Sequence, residues 1–306
     1  MDHVGPIFVV AHENAGRGRF RGAVAGLKRA LGSGDRYEPT RHAGHARELA
    51  RQAAIDGWPV IGAAGGDGTA HEVAGGILDS GRDATLAVLP LGSANDYAMA
   101  LGLAPGWWQA RRFIPAVRRV DVGRVSWSGR ARWFINGAGV GFNGQVTVES
   151  RRITRLRGLM LYGLAVWRAL GAARSHGDWQ VEVDGACRPA RPLMTVSVAL
   201  GHREGNFTLA PRARLDDGLF DVVEAGNLSG WEVAGLLPWL AMGREVAHPK
   251  VWQGTGRAVR VTADGPVAAH ADGEMLCEPG DGARDFVFEL LPGKLSALSG
   301  PGFRGG

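Results

Sequence analysis

The stretch PVIGAAGGDGTAHEVAGGIL, residues 59–78, decides the fold. It begins as a short apolar run, breaks at Gly65, Gly66, Asp67, Gly68 and Thr69, and resumes with helical spacing. The pattern predicts a buried strand over 59–64, a glycine turn, and a helix over 70–78. Glycines at a strand end let the backbone approach a ligand closely, successive N–H groups can point at one anion, and the following helix N-terminus adds its positive dipole end. Asp67 in such a turn is placed to orient a magnesium ion among phosphates. A capping box, Thr69 with Glu72 three residues on, is the plainer explanation of those two residues. It requires neither three glycines nor an aspartate at the end of a buried strand, so a phosphate cradle is the favoured reading.

The same strand, turn and helix pattern returns in LAVLPLGSANDYAMAL, residues 86–101, with Pro90, Gly92, Ser93, Asn95 and Asp96 in the turn. A Ser93 to Asp96 capping box is again the alternative. In a doubly wound sheet, however, turns at the carboxyl ends of neighbouring strands converge on one crevice. Two such turns point to a shared nucleotide site.

Outward from these turns, residues 7–11 read as a strand, 20–31 as a helix carrying Val24, Leu27 and Leu31, and 45–55 as a further helix. The region 1–122 is therefore expected to be an open α/β nucleotide-binding domain, to which the tail 291–306 can return. Beyond it, short β-rich runs at 132–136, 179–183, 194–199, 219–223, 257–262 and 286–290 are separated by Gly, Pro, Asn and Asp turns. They predict a β-sandwich domain over 123–290, interrupted by a helix over 151–173 and an apolar stretch over 231–242. The fold class is thus α/β plus all-β. Gly137, Gly139 and Gly141 read equally as a turn at the domain junction or as packing glycines.

Composition narrows the function classes. The chain has 306 residues, is 45% hydrophobic and 21% charged, and has 35 Lys plus Arg against 30 Asp plus Glu, a formal charge of +5. That is room for two cores, and it excludes disordered, collagenous and coiled-coil classes. No apolar run approaches the ~20 residues of a membrane span. The N-terminal sequence lacks a basic region and a small-residue cleavage site, so a cytoplasmic protein is expected. Cys187 and Cys277 lie far apart with no metal-ligand spacing, which argues against zinc and leaves a disulfide open. Apart from Lys28, Lys250 and Lys294, every basic residue is arginine, whose planar fork suits phosphates and carboxylates. Neither a dinucleotide fingerprint nor a GxxxxGK[ST] loop is present; Gly16, Gly18 and Gly22 have the wrong spacing.

With GGDGT at 65–69, PLGSAND at 90–96, NGAGVGF at 136–142, DDGL at 216–219 and DGE at 272–274, the chain resembles the soluble lipid kinases that share a diacylglycerol kinase catalytic domain. These are relatives of sphingosine kinases and, more distantly, of NAD kinases and phosphofructokinases. The resemblance covers most of the chain. It implies an ATP- and Mg2+-dependent lipid kinase whose nucleotide site comprises Thr40, Gly65, Gly66, Asp67, Gly68, Thr69, Ala70, His71 and Ser93. It implies Glu274 as acceptor of the lipid hydroxyl proton, the alternative being an exposed turn residue. It also implies a separate magnesium site at Asp217 and at Arg214 and Leu219 through their carbonyls. The chain departs from the family at His12 and Glu13, where Asn-Pro is usual, at Ser93, where threonine is usual, and at Met99, where arginine often follows.

A lipid substrate at the membrane surface implies peripheral membrane contact. Ile153, Leu156, Met160, Leu164 and Trp167 form one helical stripe with Arg151 and Arg155 opposite, which suits either anionic lipid or the core of the β domain. Trp231, Leu236, Leu237, Trp239 and Leu240 offer a second apolar patch. His42 and His45, lacking a third ligand, read as helix-surface histidines. A homodimer remains open. Rival readings are a kinase of NAD or another soluble alcohol, and a non-catalytic protein that holds nucleotide, lipid or polyanion. Asp67 and Glu274 together favour catalysis, and no nucleic-acid partner is expected.

Overall fold

The computed structural model describes residues 5–13, 21–109, 115–153, 163–169 and 177–303. The chain forms two compact units, Met1–Asp121 with Gly293–Gly306, and Val122–Pro292.

In the first unit, strands β1 (Ile7–Ala11), β2 (Arg36–Pro39), β3 (Val60–Gly65) and β4 (Thr85–Pro90) alternate with helices α1 (Arg21–Ala30), α2 (His45–Ile55), α3 (Asp67–Ser80) and α4 (Asp96–Ala100). The strands run parallel in the order β2, β1, β3, β4. β1 and β3 are buried along their whole length, as a sheet covered on both faces requires, so their sequences are continuous apolar runs rather than alternating ones. β2, RYEP, escapes that pattern because it is the edge strand and only partly buried. Helices α2 and α3 pack closely: a side chain at Gly76 would collide with the backbone of Arg47, whose guanidinium pairs with Asp79 at 2.6 Å.

The second unit contains two antiparallel sheets. One is built from β17 (Glu274–Cys277), β16 (Ala269–Ala271), β7 (Gly137–Gly141), β10 (Arg191–Ala199), β13 (Phe220–Gly226) and β14 (Val251–Gly256), in that spatial order. The other is built from β9 (Ala186–Cys187), β8 (Asp178–Val183), β15 (Ala258–Thr262), β18 (Asp285–Ser299), β5 (Ala116–Trp127) and β6 (Arg130–Phe134). A small hairpin, β11 (Arg203–Glu204) with β12 (Phe207–Thr208), stands apart. Phe134 of β6 stacks on Phe220 of β13 at 5.6 Å and meets Phe288 of β18 edge-on at 6.2 Å, so aromatic rings from both sheets share one core. The end of β18 belongs to the first unit, where Ser296 and Ala297 pair in parallel with Thr85 and Leu86 of β4.

One expectation is corrected and two open readings are resolved. Of the two readings of NGAGVGF, packing holds: Gly137–Gly141 is a strand between β10 and β16, and a side chain at Gly139 would come within 2.5 Å of His270 Nε2. The helix expected over 151–173 is not one element. α5 (Phe142–Arg152) begins nine residues earlier and stops where buried Ile153 turns extended, and a separate helical segment covers 163–169. Leu156, Met160 and Arg155 lie outside the described residues. Within 163–169 the buried residues are Ala165, Val166 and Ala169, whereas Trp167 is 72% exposed, so the inward face is not the expected stripe. Both cysteines are free thiols. Among the described residues no helix is long and apolar enough to cross a membrane.

Candidate active site

The four parallel strands of the first unit end in register. Ala11 lies beside Pro39 and Ala64, and Gly65 beside Pro90. One residue further on, Thr40 N–H donates to Ala11 O at 2.8 Å, His12 N–H to Ala64 O at 2.9 Å, and Leu91 N–H to Gly65 O at 2.7 Å. Thr40, the Gly65 to Thr69 turn and the loop carrying Ser93 therefore line one carboxyl edge. Its strand order reverses between β1 and β3, the switch point at which open α/β sheets hold ligands.

The two glycine turns lie against each other. A side chain at Gly92 would come within 2.5 Å of the Gly66 Cα, so only glycine fits there. Asn95, at a left-handed φ of 56°, closes its turn by accepting from Gly92 N–H at 2.8 Å and donating to Gly92 O at 2.9 Å. Asp67 Oδ1 accepts from Tyr97 N–H at 3.1 Å, so the aspartate of one turn caps the helix that follows the other.

Neither capping-box alternative forms. Glu72 reaches instead to α2, accepting from Gly44 N–H and Ala46 N–H at 3.1 Å each. The N-cap of α3 is Gly66, and no side chain caps the helix from that position. Asn95, not Ser93, is the N-cap of α4, and Ser93 is exposed. Helix N-termini leave their first amides without intrahelical partners, and at this edge Gly66 offers no side chain to meet those of α3. These residues fit the phosphates of a nucleotide. Ala70 and His71, implied in the same site, are buried within α3.

Glu13, at the start of the atypical segment after β1, is tied down. Glu13 accepts from Lys28 Nζ at 2.8 Å and from the Tyr37 hydroxyl at 2.9 Å. The Lys28 bond, then Tyr37, holds the Glu13 carboxyl below the usual range, while burial and then Glu13 push the Tyr37 phenol up. His12 Nδ1 lies 3.2 Å from Thr40 Oγ1. The sequence marked His12 only as a departure; its place at the sheet edge is a tertiary fact.

In the second unit, DGE forms the hairpin joining β16 to β17. Asp272 and Gly273 occupy the turn with φ of 50° and 76°, and Ala271 pairs with Glu274. The Asp272 carboxylate accepts from three successive amides, Ile135 and Asn136 at 2.8 Å and Gly137 at 2.9 Å, and so fastens DGE to NGAGVGF. Glu274 opens strand β17 and is part-buried, unlike an exposed turn residue. Two further residues went unmarked: His270 is buried on β16 with Nε2 3.0 Å from Glu204 Oε1.

Asp217 and Leu219 lie on the turn that leads into β13, with exposed Arg214 shortly before it. Asp217 Oδ1 accepts from Leu219 N–H at 3.0 Å. Asp221, which the sequence did not single out, lies near it. Burial first, and the Asp217 charge second, push the Asp221 carboxyl up to about 6, against the pull of Arg212. Two neighbouring carboxylates are oxygen donors that suit a hard cation such as Mg2+.

His42 and His45 have a third neighbour after all, Glu48, with ligand atoms within 4.8 Å of one another. The geometry opposes a metal. The two imidazoles are stacked 4.7 Å apart, and His45 Nδ1 accepts from Arg41 N–H, so the neutral ring carries its proton on Nε2.

Comparison with known proteins agrees with this layout. Residues 6–125 match the diacylglycerol kinase catalytic domain, and residues 137–299 match the YegS C-terminal NAD kinase beta sandwich-like domain. The chain is 31% identical over 231 residues, 72% of each chain, to a Pseudomonas aeruginosa protein named probable lipid kinase YegS-like. It is 29% identical over 240 residues, 77% of this chain and 76% of the other, to the diacylglycerol kinase of Staphylococcus saprophyticus. A diacylglycerol kinase from Bacillus anthracis has the same fold, with a TM-score of 0.70 at 18% identity over 97% of both chains. Yeast NADH kinase superposes with a TM-score of 0.53 at 8% identity, over 98% of this chain and 84% of the other.

The matched family domains thus make the chain a kinase, a phosphotransferase with a mixed α/β domain and a β-sandwich domain. The chain belongs to the lipid kinase family that carries the diacylglycerol kinase catalytic domain.

Proposed function

We propose that the protein is an ATP- and Mg2+-dependent lipid kinase of the cytoplasm that transfers the γ-phosphoryl group to a hydroxyl of a diacylglycerol-like or sphingoid lipid at the membrane surface. The observation that carries the reading is the convergence of the two glycine turns at one carboxyl edge, with Asp67 beside the N-terminus of α3, in a chain of this family. The amides of Gly66, Asp67 and Gly68 bind phosphate oxygens, with Thr40 and Ser93 as hydroxyl donors around them. Magnesium, when bound, neutralises charge on the phosphates, and Asp67 orients it. Glu274 accepts the proton as the lipid oxygen bonds to phosphorus and the bond to the departing ADP breaks, a task for which a carboxylate suffices when the alcohol is already positioned. Asp217 and Asp221, with the Arg214 and Leu219 carbonyls, would hold a second cation at the turn into β13.

The test is transfer of labelled phosphate from ATP, with magnesium, to diacylglycerol, sphingosine, ceramide and phosphatidylglycerol in mixed micelles, with NAD as the soluble acceptor. Labelling of a lipid is the expected result. Labelling of NAD and of no lipid would overturn the substrate class.

A further inference from the structure

The helix α6 (Gly230–Ala241), GWEVAGLLPWLA, has the composition of a core helix but not its burial. Only Val233 is buried; Leu236 and Leu237 pack partly against a cluster of Phe142, Val166, Ala169, Met194, Ala225 and Leu228. Facing outward are Trp231, Ala234, Gly235, Pro238, Trp239 and Ala241, with Met242 just beyond, and no charged residue is among them. Trp231 is 89% exposed, Met242 58% and Trp239 46%. A surface helix of a protein bathed only in water turns polar residues outward, so this face is built for a less polar neighbour. The segment 163–169 buries Val166 and Ala169 in the same cluster and turns Trp167 out.

The surrounding charge identifies that neighbour. The nearby acids are answered: Glu232 pairs with Lys250 at 2.8 Å, and Glu245 with Arg212 at 2.8 Å. Arg168, next to Trp167, and Arg244, whose guanidinium lies 5.3 Å from the Trp239 ring centre, are exposed and have no acidic partner among the described residues. Tryptophan with an apolar body and a polar N–H, flanked by arginine, suits the boundary between acyl chains and anionic headgroups.

We propose that the outward face of α6, together with Trp167, is the surface by which the protein docks on an anionic lipid bilayer, with Trp231 and Trp239 inserted and Arg168 and Arg244 on the headgroups. The choice of a bilayer rests on the lipid kinase reading; the surface itself does not.

The experiment measures binding to vesicles of phosphatidylglycerol and of phosphatidylcholine, each with and without bromine in the acyl chains. Wild type is expected to bind phosphatidylglycerol vesicles more tightly, with its tryptophan fluorescence quenched by brominated chains. The double variant Trp231→Ala, Trp239→Ala should lose about ten-fold or more in vesicle affinity. It should keep its circular dichroism and its turnover of a dispersed short-chain diacylglycerol. Arg168→Glu with Arg244→Glu should weaken binding to phosphatidylglycerol selectively. Unchanged vesicle affinity in the tryptophan variant, or no quenching of wild type by brominated lipid, overturns the proposal. So does a homodimer that the tryptophan replacements dissociate without any vesicle binding. Tryptophan-dependent vesicle binding without phosphorylation of any lipid would uphold the surface and sink the lipid kinase reading instead.

Discussion

Asp67 caps α4 and, in the proposed function, orients magnesium, and a pair of substitutions separates the two roles. Its Oδ1 accepts from the Tyr97 amide, and an asparagine oxygen can do the same. Asp67→Asn should therefore abolish phosphoryl transfer with little change in thermal midpoint, whereas Asp67→Ala should also lose about 1 kcal/mol of stability, read by denaturant unfolding. Asparagine with near wild-type turnover would remove the charge from the mechanism. Glu274→Gln should lower kcat by about 10² to 10⁴ with little effect on nucleotide affinity, because the amide keeps the shape but has no useful basicity. Weaker ATP binding with unchanged kcat would make Glu274 a ligand of nucleotide or metal.

At the scale of elements, the two glycine turns succeed only as a pair. Gly92→Ala pushes a methyl group into the Gly66 backbone and should cost about 1–3 kcal/mol while raising the KM for ATP, since the turn must move to make room. Helix α6 is held by a capping box in which Ser229 accepts from Glu232 N–H at 3.2 Å and Glu232 accepts from Ser229 N–H at 2.6 Å. The hydrogen bond from Lys250, and then those from Ser229, lower the Glu232 carboxyl to about 2. Because that value lies below the unfolded one, the carboxylate stabilises the cap above about pH 4.5, and the contribution is lost as pH falls from there toward about 2. Thermal unfolding followed over that range should show a steeper acid loss for wild type than for Glu232→Gln.

Across the whole molecule, the two thiols report on folding of the β-rich unit. Cys187 is exposed, whereas Cys277 on β17 is buried and its thiol is pushed up to about 11, by burial first and by the Asp281 charge second. Since the thiolate is the reactive form, one thiol should titrate rapidly with a disulfide reagent at pH 8, and the second only in denaturant. Two fast thiols in the native protein would show that β17 opens locally.

The sequence by itself determined what local chemistry dictates. A strand buried on both faces must be apolar throughout, and a backbone turn that admits no side chain must be glycine, so β1, β3, β4 and the turns at 65–69 and 90–96 were legible. The alternation of those strands with helices, followed by short β-rich runs, was enough for the α/β plus β-sandwich class. Tertiary structure decided the rest, because it depends on partners remote in the chain. NGAGVGF reads equally as a turn or as packing glycines, and it is a strand because β10 and β16 supply hydrogen bonds and His270 and Trp179 fill the space its glycines leave. Glu72 reads as the end of a capping box, yet its carboxylate serves α2. Asp221 carries no motif, and only the fold brings it beside Asp217. Apolar periodicity shows that α6 has greasy faces, but only the packed core shows which of them stays uncovered, since burial belongs to the neighbours a helix finds and not to the helix alone.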